Sequence, residues 1–226
     1  MNEQTKSSNS DALSTDAASA ANARSAGNAA RVEGAMRPLP DDALIILPVR
    51  NVVMFPGAVF PLTVGRDHSR AAAQEAVRLE RPIGVLLQSK PDAEEPRPED
   101  MHWVGTSASV VRYITTPEGT HHAIAKGLRR FRVLEFLDGY PFAVARVQYL
   151  DDPEHVDSEI EGRARALKQR AVEILQLLPQ VPEEMVAALQ GVDGAARLAD
   201  FIAGLMDIPV EEKQALLETF DLKARL

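Results

Sequence analysis

At 226 residues, with 45% of them hydrophobic and a formal net charge of −8, the chain is long enough for one large domain or two small ones, and apolar enough to build a core. It has no cysteine, which excludes disulfides, thiolate catalysis and zinc-thiolate sites, and it has neither an apolar run near the ~20 residues of a membrane span nor a secretory signal. Nearly all of the net negative charge falls after residue 150, and no segment carries the excess of Lys and Arg from which nucleic-acid affinity arises, so neither membrane nor nucleic acid is an expected partner.

Residues 1–40 open the chain with an Ala, Ser and Asn-rich tail that has scarcely any large apolar side chain. Such a segment buries too little surface to offset its conformational entropy and is expected to be disordered. Glu3, Asp11 and Asp16 argue against an organelle transit peptide, since those are poor in acids.

Residues 41–152 are expected to be mostly β. Apolar runs over 43–49, 59–64 and 83–88 read as strands bounded by turn residues. Between the last two, residues 66–80 place Ala72, Ala73, Ala76, Val77 and Leu79 toward one face at helical spacing. Runs over 103–115 and 121–126 flank Thr116-Pro117-Glu118-Gly119-Thr120, which predicts a hairpin. Alternation over 129–137 and again over 141–150 predicts two more strands. With one helix available as a crossover, the strands are expected to be antiparallel or mixed.

Residues 153–226 change period. Ile160, Ala164, Leu167, Ala171, Ile174 and Leu178 fall at alternating spacings of four and three, which predicts a helix with one apolar stripe. Ser158 and Glu161 suit a capping box at its start. Further helices are predicted from Pro182, near Asp193 and from Pro209, because Pro is tolerated where a helix begins. The last is read as running to Leu226, and short links imply a compact helical bundle. Met185 and Met206 are assigned to its core. The fold class is therefore α+β, a mostly-β domain with one helix followed by helices.

Catalytic machinery is missing from the sequence. There is no GxxxxGK[ST], GxGxxG, GxSxG or HExxH pattern, so no catalytic, cofactor or metal site is expected in this chain. His121 and His122 adjoin on a predicted strand and point to opposite faces. The acidic stretch over 91–100, PDAEEPRPED, lacks the spacing and central Gly of a calcium loop and reads as a solvated connection.

One segment asks for more than packing. LPVRNVVMFPGAVFPLTVGR, residues 47–66, interrupts apolar runs with three prolines and two glycines and so presents Val52, Val53, Met54, Phe55, Val59 and Phe60 close together. It resembles the opening signature of the N-terminal domain of Lon-type ATP-dependent proteases. The likeness continues through VGTSASVVRYITTPEGTHHAIAKGLRRFRVLEF, with its Gly127, Arg130, Arg132 and Val133, and through Pro182-Glu183-Glu184, Ala196 to Asp200 with Ile202, Lys213 to Leu217 and Arg225-Leu226. It covers residues 44–226 in order, and only the long tail departs from the family pattern.

The resemblance implies a PUA-like β-rich domain and a helical part leading toward a long helix, an AAA+ ATPase using ATP and Mg, and a Ser/Lys protease domain, none of which lies in this chain. It further implies a cytoplasmic homohexamer in protein quality control, a hydrolase whose N-terminal region binds unfolded or tagged proteins. Unfolded proteins share exposed apolar surface, so a shallow apolar patch would recognise them. Met54, Phe55, Pro56, Phe60 and Pro61 are the candidate contacts, set against the reading that the two phenylalanines are core. The alternative function is a free-standing Lon-domain adapter or PUA-like binding protein without protease activity. The helical stripe could also serve subunit assembly, although packing against the chain's own later helices is the favoured reading.

Overall fold

The computed structural model describes residues 37–116, 121–153, 155–179 and 181–226. The disorder expected of the tail before residue 37 and the turn at 117–120 lie outside the described residues. The strands β1 (Ala43–Val49), β2 (Val59–Thr63), β3 (Ile83–Leu87), β4 (Val104–Thr115), β5 (His121–Phe136) and β6 (Val144–Leu150) form one sheet with α1 (Asp67–Arg78) between β2 and β3. Its order is β2-β5-β4-β3-β1-β6, and β6 also pairs with β5, so five strands close into a ring with β2 alongside β5. β1 and β3 are parallel and every other pair is antiparallel. The sheet is thus mixed, and α1 lies on the single crossover that parallel pairing requires.

β5 differs from expectation in being one strand of 16 residues where the alternation suggested two. Gly127 sits in the middle of it. A Cβ there would collide with the carbonyl oxygen of Phe55, so the glycine lets the β1–β2 connection rest on the strand. Backbone bonds from Gly57 N to the Gly127 oxygen (3.0 Å) and from Gly127 N to the Ala58 oxygen (2.8 Å) fix this approach, and Gly57 supplies the left-handed backbone, at φ 83°, on which the connection turns. Register shifts in the β4–β5 and β5–β6 ladders bend β5, allowing it to serve the hairpin at one end and close the ring at the other.

Inside the ring, Leu44, Ile46, Leu86, Met101, Phe131, Val133, Ala145 and Val147 form the core. α1 packs on β1 through Ser69, Ala72, Ala73 and Ala76; Val77, expected on this face, is turned out, 45% exposed.

Five helices follow: α2 (Ser158–Leu177), α3 (Glu183–Gln190), α4 (Ala195–Leu205), α5 (Val210–Glu218) and α6 (Leu222–Arg225). The cap of α2 is Asp157 rather than Ser158, its carboxylate accepting from Ile160 N at 2.8 Å. The apolar stripe also moves. Ala164, Ala171, Val172 and Leu175 pack against α3 and α4, whereas Ile174 and Leu178 are 59% and 50% exposed. A straight helix drifts ~20° per heptad from a strict 3.5-residue repeat, so the contact face leaves the predicted positions by the third heptad. The expected terminal helix is broken, because Asp221 accepts from Lys223 N at 3.1 Å and restarts the chain as α6. Met206 is half-exposed rather than core, while Met54 and Met101 are the buried methionines among the described residues.

The helices meet the ring in two ways. Val53, Phe55, Leu87 and Val104 pack against Ala203 and Leu217. Beside this contact lies a buried ionic network. Arg130 of β5 donates from Nη2 to Asp200 of α4 at 2.5 Å and from Nε to the Leu217 carbonyl at 2.9 Å. Arg225 of α6 lies 3.4 Å from Asp200 and 2.5 Å from Asp152, which also faces Arg130 at 3.6 Å. The side chains of Arg130, Asp200 and Arg225 are at most 3% exposed. Burial pushes the Asp200 carboxyl up from its ordinary range, against the pull of Arg130 and Arg225.

Candidate functional site

The structure separates the five predicted contact residues. Met54 and Phe55 are core residues, 2% and 1% exposed, and cannot meet a partner at the surface. Hydrogen bonding and packing draw them in: the Met54 carbonyl accepts from Thr106 Oγ1 at 2.6 Å, and the Phe55 ring fills the contact between ring and helices. Pro56 and Phe60 are half-buried. On β2 the pleat sends Phe60 and Pro61 to opposite faces, and Pro61 alone of the five lines the cleft now described.

That cleft, of about 1100 Å³, opens between the end of β1, strand β2, the start of α1, the loop over residues 94–98 and the segment before β6. Pro48, Val49, Val52, Pro61, Pro141 and Phe142 give it apolar walls. The tight turns that Pro and Gly impose on residues 47–66 bring both walls of one side from a single stretch of sequence. The opposite side comes from the acidic loop, read from sequence as a solvated connection, and from the Tyr140/Phe142 pair, which precedes β6 rather than opening it and whose rings stack at 6.5 Å.

The acidic loop is held in place. Lys90 Nζ donates to Asp100 Oδ1 at 2.6 Å and Arg97 N to Asp100 Oδ2 at 3.1 Å, and these bonds hold the Asp100 carboxyl below its ordinary range. Further along, the Ala93 carbonyl accepts from Arg50 Nη2 and Gln88 Nε2 at 3.2 and 3.1 Å. Arg66 Nη2 donates to Gln88 Oε1 at 2.7 Å and reaches the same carbonyl at 3.5 Å. Burial, with the nearby charge of Arg50, lowers the Arg66 guanidinium from its ordinary range, and Glu94 opposes that shift. At the rim His68 Nδ1 bonds the Pro141 carbonyl at 2.7 Å, and its Nε2 lies 4.0 Å from Glu95.

Residues 43–226 match the family model described as the ATP-dependent protease La (LON) substrate-binding domain. The chain belongs to this family. Among relatives, the Lon protease of Phenylobacterium zucineum is 46% identical over 191 residues, covering 84% of this chain and 24% of that one. The Lon protease of Methylocella silvestris is 44% identical over 214 residues, covering 95% and 26%. The chain thus spans about a quarter of the length of the curated relatives it matches. In structure it is similar to the N-terminal domain of Mycobacterium avium complex Lon protease, at a TM-score of 0.65 and 23% identity over 81% of this chain and 93% of that one. The Lon N-terminal domain protein of Xanthomonas campestris gives 0.58 and 20% over 81% and 94%. These likenesses show the α+β Lon-domain fold, with its mixed sheet and six helices. The Lon motifs read from sequence fall at its structural joints: Gly127 under Phe55, Arg130 in the buried network, and Arg50 and Arg66 at the cleft. Among the described residues no helix is long and apolar enough to cross a membrane.

Proposed function

We propose that this chain takes hold of unfolded or degradation-tagged polypeptide for a Lon-type protease, in which AAA+ and Ser/Lys domains elsewhere in the polypeptide use ATP and Mg to unfold and cut it. In the same reading the full-length enzyme is a cytoplasmic homohexamer, and this region binds without cutting. Membership of the substrate-binding family carries the proposal. The apolar-walled cleft supports it, because a surface that accepts many unfolded chains needs adaptable apolar contact rather than a fixed pattern of polar groups.

Pro61 and Val52 are exposed cleft residues, so replacing both with serine should leave the melting temperature nearly unchanged. Binding of a chemically denatured, fluorescently labelled reporter protein should weaken about tenfold, equivalent to ~1.4 kcal/mol. Equal binding of the native and denatured reporter by the wild-type chain would refute the reading.

A further inference from the structure

Three donors converge on one neutral acceptor beside the cleft, two of them from Arg50 and Arg66, which line it. Arg50 Nη2, Gln88 Nε2 and Arg66 Nη2 approach the Ala93 carbonyl oxygen at 3.2, 3.1 and 3.5 Å. Gln88 is 2% exposed, and its Oε1 receives Arg66 at 2.7 Å, which fixes the amide with its NH2 toward the same point. Among the described residues neither arginine has a carboxylate oxygen within ion-pair distance. A backbone carbonyl brings two lone pairs and no net charge to these donors. A carboxylate brings two oxygens, about four lone-pair sites and a full charge, and charge-assisted bonds are roughly twice as strong as neutral ones.

We infer that Arg50, Arg66 and Gln88 form a carboxylate subsite, occupied in this structure by the chain's own Ala93 carbonyl, at which a bound polypeptide places its C-terminal carboxylate or an acidic side chain. The inference rests on the reading that the cleft takes polypeptide, and it adds the polar end of the ligand to the apolar walls of Val49, Val52 and Pro61. The other charges facing the cleft have partners of their own or lie on the loop itself. Asp67 is paired with Arg70 and Glu95 lies near His68. Glu94 acts on Arg66 from the same loop that carries Ala93, so the loop brings a competing carboxylate with its carbonyl. Arg97, also on the loop, lines the cleft as well. Arg66 is partly buried beside the charge of Arg50, and an incoming carboxylate supplies neutralising charge to both.

The test is fluorescence anisotropy on the full chain with three labelled peptides: a short apolar peptide with a free C-terminus, the same peptide amidated, and the amidated peptide carrying one internal aspartate. The free acid should bind about tenfold or more tightly than the amide, the ratio expected when a charge-assisted pair is lost. Recovery by the internal aspartate shows that either source of the carboxylate serves; no recovery restricts the subsite to the chain terminus. Arg50→Gln should erase the acid–amide difference at unchanged melting temperature, since this exposed side chain bonds only the Ala93 carbonyl, and Glu94→Gln should tighten binding of the free acid. Equal affinity for acid and amide, or a difference that survives Arg50→Gln, overturns the inference. The denatured reporter separates the two readings: if it binds without any acid–amide difference among the peptides, recognition stands and the subsite falls. If the acid binds through Arg50 but the reporter does not, the subsite stands and recognition falls.

Discussion

Replacing Asp200 by alanine tests what holds the helices to the ring. The carboxylate is 1% exposed and faces two guanidiniums, Arg130 at 2.5 Å and Arg225 at 3.4 Å. Without it, Asp152 must serve both arginines, and it is one-third exposed and 3.6 Å from Arg130. Removing one partner of a buried pair costs about 3–5 kcal/mol, because the remaining charge stays desolvated. For a domain of this size, at ~2–4 °C per kcal/mol, the melting temperature should fall by roughly 6–20 °C. Burial pushes the Asp200 carboxyl up against the pull of both arginines, and in buried ionic networks desolvation commonly offsets most of the attraction. A triple replacement, Arg130→Met, Asp200→Leu and Arg225→Met, should accordingly recover most of what Asp200→Ala loses. Urea unfolding followed by circular dichroism measures both. A cost for Asp200→Ala below about 1 kcal/mol, the level of an exposed pair, would refute the reasoning.

Phe55→Ala should cost about 3–5 kcal/mol, the usual loss for a buried aromatic, so a variant that keeps its melting temperature would return Phe55 to the list of surface contacts. Gly127→Ala should also destabilise strongly, since the new methyl meets the Phe55 carbonyl; thermal unfolding that shows no change would mean the β1–β2 connection does not rest on β5. Asp100 has a folded-state carboxyl below its unfolded value of 3.8, so its contribution is present above that value and is lost as pH falls through the folded one. Asp100→Asn should therefore flatten part of the acid limb of a stability–pH curve below about 3.8, and an unaltered limb would deny Lys90 and Arg97 their role.

β1 and β3 were legible as short apolar runs, buried almost throughout, the later strands through their alternation, and the helix at residues 67–78 because its small residues recur at helical spacing. What escaped were features that sequence neighbours do not determine. Met54 and Phe55 look like a surface patch beside Pro56, yet the glycine that lets them sink, Gly127, stands far along the chain. The acidic loop reads as solvated from its composition, and its role in the cleft depends on Arg50, Arg66 and Gln88, which come from three separate elements. Ser158 is a good capping residue that lost to its neighbour Asp157. The family motifs located the joints of the fold, but periodicity alone gave no hint that Arg130 would meet Asp200 and Arg225.

Closure of the ring has a consequence for how the chain is made. β1 is completed by β3 on one side and by β6 on the other, so the first strand of the sheet to be made waits for the last. At ~5–20 residues per second this interval lasts several seconds, during which Leu44 and Ile46 lack part of their cover from Ala145 and Val147. Phe55 waits longer, since Ala203 and Leu217 complete its packing. A domain of a protease's substrate-binding family must itself pass through a stage in which its own apolar strands are exposed.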